Sequence, residues 1–282
     1  MKRYTRIDFL SRIDLYLKQK WLINKKDELS YLLEQCNSKD EKDLLYFLLE
    51  KFKYLEVGDL RSILNDISDY IISESKFEES TTQILSITYD DNPDSSQKIL
   101  DMLKVPLFQK GWKSVKKVNH YSKAMQNYKK GKTNILVIDE FIGSGITLKG
   151  RLKQLKNDIN GEFNIKFCFV AGIKETIQHL KSEGLEIYTP LLISKGISSN
   201  FKDIKLNDAI NTMQNLESKL AKRINNKNLD NYSFGYGEAE ALYTMEGCLG
   251  NTPNSVFPIF WWSKDANNNN RKTLLTRAEE GF

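Results

Sequence analysis

Four apolar residues, Ile135–Ile138, run without alternation into two acids, Asp139 and Glu140, and then into the small-residue loop Gly143-Ser144-Gly145-Ile146-Thr147. A strand with one face in water alternates apolar and polar residues. A strand that does not alternate is covered on both faces, as a central strand of a parallel sheet is. The apolar spacing after the loop is helical, so the segment reads as a strand over Asn134–Ile138 and a helix over Thr147–Asn157. Parallel strands need long crossover connections, usually helices, so this one segment already points to an α/β architecture.

The neighbouring sequence repeats the pattern. Ile84–Thr88, Ile165–Ala171 and Glu186–Ile193 are candidate strands, and Ser95–Leu103 and Lys174–Ser182 are candidate helices. The amino-terminal part has a different texture. Ile7, Leu10, Ile13 and Leu17 fall on one helical face, as do Leu60, Ile63, Leu64, Ile67 and Ile71. Ser38-Lys39-Asp40-Glu41 has the capping-box pattern ahead of the apolar stretch Glu41–Phe52. The expected organisation is a helical N-terminal cap over 1–78 and a mostly parallel α/β domain over 79–282. Late in the chain, Leu206, Ile210, Met213 and Leu220 mark an amphipathic helix. SFGYGEAEALY and NTPNSVFPIFWW follow, where Trp261 and Trp262 are read as core, or one of them as a stacking surface for a base.

Composition excludes several classes. The net charge of +5 on 282 residues is too mild for a dedicated nucleic-acid protein. Apolar runs such as Phe167–Ile173 are too short to span a bilayer, and the basic amino terminus has no apolar run after it. No membrane and no signal peptide are expected. Cys36, Cys168 and Cys248 match no zinc or disulfide spacing, which fits a cytoplasmic location. His120 and His179 are too few for a histidine metal site. Eight lysines between 109 and 132, with no acid among them, form either a solvated face or a patch for phosphates.

The chemistry sits at 134–148. Ligands of parallel sheets bind at the carboxyl ends of the strands. Glycines let backbone N–H groups approach an anion, the helix N-terminus adds positive potential, and Ser144 and Thr147 add hydroxyl donors. The loop suits a phosphate. Two carboxylates beside a phosphate repel it unless they face hydroxyls or a cation, and a ribose diol with Mg²⁺ meets that condition. Acids and loop together therefore select a ribose 5-phosphate. The P-loop pattern fails because Arg151-Leu152 follows Gly150, and the dinucleotide fingerprint fails because position 148 is Leu.

The run NILVIDEFIGSGITL resembles the signature of type I phosphoribosyltransferases. The resemblance implies that fold, with phosphoribosyl pyrophosphate or a related nucleotide as ligand and Mg²⁺ as cofactor. It implies that Asp139 and Glu140 hold the ribose hydroxyls and the metal, and that Gly143, Ser144, Gly145, Ile146 and Thr147 hold the 5′-phosphate. Asp90, Asp91 and Asp94 occupy the loop where pyrophosphate and Mg²⁺ gather in that family, with Asp91 as the candidate ligand and Ser95 and Ser96 as donors. The other reading of that loop is an acidic turn capped by Asp94. Lys113, Lys116 or Lys117 stands where a mobile catalytic loop would close, with Lys113 as the catalytic candidate. One departure is Gly143, where many purine-type members carry an acid that acts on the base; orotate-type members lack it too.

A second resemblance spans most of the chain. The helical start, DDNPDSS, VIDEFIGSGIT, FGYGEAEAL, NTPNSVFPIFWW and LLTRAEE are similar to the phosphoribosyltransferase-like family of bacterial conflict systems. This implies an antiviral defence effector acting at the ribose C1. The alternative is a subunit that senses a ribose-phosphate ligand without turnover, in a complex with a reverse transcriptase and its DNA–RNA product, as in some retrons. An oligomer is compatible with either.

Overall fold

The computed structural model describes residues 6–86, 95–119, 121–159, 161–246 and 251–278. Among these, contacts define two compact units. One comprises 55–193; the other combines the first 54 residues with the chain from 194 onward. Residues 55–78, assigned from sequence to the helical cap, thus group with the sheet.

The first unit carries a parallel sheet of six strands: β1 (Thr82–Leu85), β2 (Lys116–Val118), β3 (Asn134–Ile142), β4 (Asn164–Ile173), β5 (Ile187–Tyr188) and β6 (Leu191–Ile193). The order is β2-β1-β3-β4-β5, and β6 also pairs with β4. The chain leaves β1 for the edge, forms β2, and returns to the other side of β1 to form β3. Connections from β1 and β3 therefore diverge, which opens the sheet at their carboxyl ends. Ile135–Ile138 are all buried, as their lack of alternation requires. Val137, Phe167 and Phe169 of the sheet bury against Leu148, Leu152 and Leu155 of the helix Ile146–Asp158.

Two strands differ from the sequence reading. The stretch 186–193 is two strands, because Pro190 between them has no N–H for the ladder. β3 is longer, and its pairing with β4 runs on to Ile142 opposite Gly172. Gly172 makes this possible, since a Cβ there would stand 2.3 Å from Ile142 Cγ2. Asp139 and Glu140 consequently lie within the strand, not at its end. The helix Val57–Asp69 buries Leu60, Ile63, Leu64 and Ile67, the stripe its spacing marks.

The second unit contains the helices Arg6–Lys18, Lys26–Glu34, Lys39–Glu50 and Asp203–Glu217. The capping box forms in modified shape: Ser38 Oγ accepts from the Glu41 amide at 3.2 Å, while the Glu41 carboxylate accepts from the Asn37 amide at 2.6 Å. On Arg6–Lys18 the expected inward face is turned out. Leu10, Ile13 and Leu17 are exposed, and Leu15 is the buried residue. Trp261 and Trp262 are both core. Their indole nitrogens donate to the carbonyls of Val256 and Ala221, each at 2.9 Å, so packing is the reading the structure supports. No helix among the described residues is long and apolar enough to cross a membrane.

Candidate functional site

β3 delivers its two acids on opposite faces, because successive strand residues alternate. Asp139 shares a face with Val137, and that face is covered by the helix Ile146–Asp158. Asp139 Oδ1 accepts from the Glu140 amide at 2.7 Å, and Oδ2 accepts from Arg151 Nη1 at 3.1 Å. The side chains of this ion pair are only 12% and 19% exposed for Arg151 and Asp139, so water screens it weakly. Glu140 is more enclosed still, at 2%.

The loop after β3 turns on Gly145, which adopts φ +79° and serves as the N-cap of the helix Ile146–Asp158. This left-handed conformation suits glycine. The turn also packs tightly. A Cβ on Gly145 would meet Leu180 Cδ1 at 3.1 Å and Thr176 Cγ2 at 3.3 Å, both on the helix Lys174–Ser182. Gly143 is buried, Ser144 half-buried, and Ile146 and Thr147 are exposed in the first turn. Gly145 offers no side-chain cap, and the first turn carries no acid. The amino end of the helix thus has two hydroxyls beside it and no acid in its first turn, with the acids of β3 immediately upstream.

Arg151 is the residue that sequence reasoning missed. It entered there only as the mismatch that excludes a P-loop. Its signal was present: it lies four residues after Thr147, one helical turn along the same face.

Other predicted residues are not gathered here. Lys113 precedes β2, and the amides of Ser114 and Val115 donate to Glu79 at the entrance to β1. Lys116 is level with Gln83, which is level with Ile135, four residues before Asp139. At the strand rise that is about 13 Å from the acid, toward the amino edge of the sheet. Lys113 instead lies over the Phe108 ring, 5.8 Å from its centroid. Two lysines of the segment are engaged within the unit: Lys110 pairs with Asp69 at 2.6 Å, and Lys132 Nζ donates to the Ser80 carbonyl at 2.5 Å. Lys117 has its pKa lowered, first by burial and then by nearby Lys104. Asp90, Asp91 and Asp94 lie outside the described residues. On either side of that stretch, the hydroxyls of Ser86 and Ser96 are buried with no hydrogen-bond partner among the described residues.

The Mg²⁺ implied by the resemblance can be tested against these donors. Both Asp139 oxygens already accept hydrogen bonds, one of them from a cation, and Glu140 is enclosed. Among the described residues no group of three or more His, Cys, Asp or Glu side chains is arranged to hold a metal. The described residues do not fit a resident divalent cation.

The family model PRTase-CE matches residues 30–277. The chain belongs to the PRTase-CE family. No curated protein matches it. Among solved structures, this PRTase-CE chain is similar to a hypothetical protein from Neisseria gonorrhoeae with bound ppGpp, at 11% identity and TM-score 0.37, over 58% of this chain and 97% of that one. It is also similar to the adenine phosphoribosyltransferase of Trypanosoma brucei in complex with AMP, pyrophosphate and ribose-5-phosphate, at 13% and 0.33, over 59% and 88%. The hypoxanthine-guanine phosphoribosyltransferase of Schistosoma mansoni in complex with IMP gives 15% and 0.32, over 43% and 59%. Likeness at this level says nothing of ligand or activity; membership of PRTase-CE rests on the family match.

Proposed function

We propose that residues 134–148 hold the ribose 5-phosphate group of phosphoribosyl pyrophosphate or a related nucleotide, and that the protein is a phosphoribosyltransferase-like effector of bacterial antiviral defence acting at the ribose C1. The observation that carries this is the Gly145 turn. It sets the amino end of a helix, with Ser144 and Thr147, directly behind a central strand bearing Asp139 and Glu140.

The chemistry follows from those groups. Loop amides and hydroxyls donate to the phosphate. Asp139, oriented by the Glu140 N–H and Arg151, is the acceptor this reading assigns to the ribose hydroxyls. At C1 the bond to the leaving group breaks as the acceptor bond forms, and positive charge develops on the sugar ring. Carboxylates on β3 have the sign that stabilises it. With phosphoribosyl pyrophosphate the leaving group is pyrophosphate, and Mg²⁺ is the counter-ion such a diphosphate brings with it.

A second reading is a sensor that binds without turnover, as a subunit alongside a reverse transcriptase and its nucleic acid. It is favoured by the enclosure of Glu140 and by glycine at position 143. Incubation with phosphoribosyl pyrophosphate and with common nucleotides, followed by mass spectrometry of small molecules and protein, separates the two. The enzyme yields a product that disappears in Asp139→Asn/Glu140→Gln. Turnover that survives this double substitution contradicts the assignment. Saturable ligand with no product selects the sensor.

A further inference from the structure

We infer that Arg151 supplies the positive charge at the ribose end of this site, where a divalent cation would otherwise be needed, so that a ribose 5-phosphate group binds without metal. The inference rests on the ribose 5-phosphate reading of 134–148.

Two acids on β3 stand close behind a loop suited to a phosphate, and the charges of that combination repel. Some cation has to offset them. The described residues do not offer a metal site, but they do place a guanidinium there. Arg151 Nη1 lies 3.1 Å from Asp139 Oδ2. A guanidinium is charged at every pH at which a protein is folded, and its planar fork fits a carboxylate. The pair is largely shielded from water, at 12% and 19% side-chain exposure, so its field reaches the neighbouring loop with little screening.

Position also matters. Arg151 is rooted on the helix whose first turn forms the phosphate loop, one turn beyond Thr147. The same rigid element therefore presents the phosphate donors and the cation that tempers Asp139. A carboxylate held between a backbone N–H and a guanidinium keeps a fixed orientation and has its charge offset. A purely structural tie between helix and strand has the same geometry but makes no demand on metal, so metal dependence separates the two roles.

The test is calorimetric titration of the full chain with ribose 5-phosphate, in EDTA and in excess Mg²⁺. Wild-type affinity is expected to agree in the two buffers within about twofold. Arg151→Met keeps the bulk and removes the charge; it is expected to weaken binding in EDTA by about tenfold or more, and added Mg²⁺ to recover part of that loss. Arg151→Lys, which keeps the charge, serves if the Met variant does not fold, and is expected to bind equally in both buffers. Wild-type binding that collapses in EDTA overturns the inference and leaves the site reading standing. So does an Arg151→Met variant that binds like wild type in EDTA. A wild-type protein that binds in neither buffer overturns both.

Discussion

Glu217, at the carboxyl end of the helix Asp203–Glu217, accepts a hydrogen bond from Ser233 Oγ at 2.6 Å and fixes the start of the FGYG turn. Its other oxygen accepts from the Phe234 amide at 3.1 Å. Burial pushes its pKa up to about 7, against the opposing pull of these two hydrogen bonds. The folded protein therefore binds a proton that the unfolded chain releases near pH 4.5. Stability from this group is fully present below that pH and is lost as pH rises through about 7. The loss amounts to about 3 kcal/mol at most. Glu217→Gln keeps an acceptor oxygen for the Phe234 amide, turns the other contact into an N–H donation that the Ser233 hydroxyl can accept, and removes the titration. Urea midpoints at pH 5 and pH 8 should differ less for the variant than for wild type, and an unchanged difference would count against this account.

The FGYG turn is built around Gly235, at φ +81°. A Cβ there would lie 1.9 Å from the Ser255 carbonyl oxygen, a backbone atom that cannot swing aside. Gly235→Ala should cost about 3 kcal/mol or more, combining a strained φ with a forced shift of Ser255. Thermal unfolding measures it, and a drop in Tm of only a degree or two would show that this loop gives way more easily than its packing implies.

Gly145→Ala tests the site and the fold at once. The strained φ and the contacts at 3.1 and 3.3 Å with Leu180 and Thr176 predict a cost of about 1–2 kcal/mol. Any relief requires the first helical turn to move, so ligand affinity should fall by more than stability alone explains. A variant that is destabilised yet binds ribose 5-phosphate like wild type would separate Gly145 from the phosphate site.

Trp262→Phe should be costly for a reason unrelated to any ligand. The substitution leaves the buried Ala221 carbonyl without its donor and opens space in the core. The two effects together predict a loss of about 2–4 kcal/mol in denaturant unfolding, with ligand affinity unchanged. Lost affinity in a folded variant would return Trp262 to the candidates for base stacking.

The sheet was the legible part of this sequence, because its strands are local patterns. Ile135–Ile138 announced a doubly covered strand, and the helix Lys174–Ser182 has the bounds its spacing marks. What escaped depends on partners distant in sequence. The extension of β3 to Ile142 comes from room left by Gly172 on the next strand. Helix Arg6–Lys18 carries apolar residues on more than one side. Contacts with Lys39–Glu50, about thirty residues on, choose Leu15 over Leu10, Ile13 and Leu17. Lys113 looked well placed only while the direction of β2 was unknown. Arg151 was visible as a residue, but its partner Asp139 could be named only once helix and strand were packed together.

The most direct test of the central claim is the ribose 5-phosphate titration of wild type beside a Ser144→Ala/Thr147→Val variant, which removes two loop hydroxyls and leaves the backbone turn. The account predicts saturable binding at one site per chain, weakened by about tenfold or more in the variant. Wild-type protein that shows no saturable heat, or a folded variant that binds equally well, would contradict the claim that residues 134–148 hold a ribose 5-phosphate.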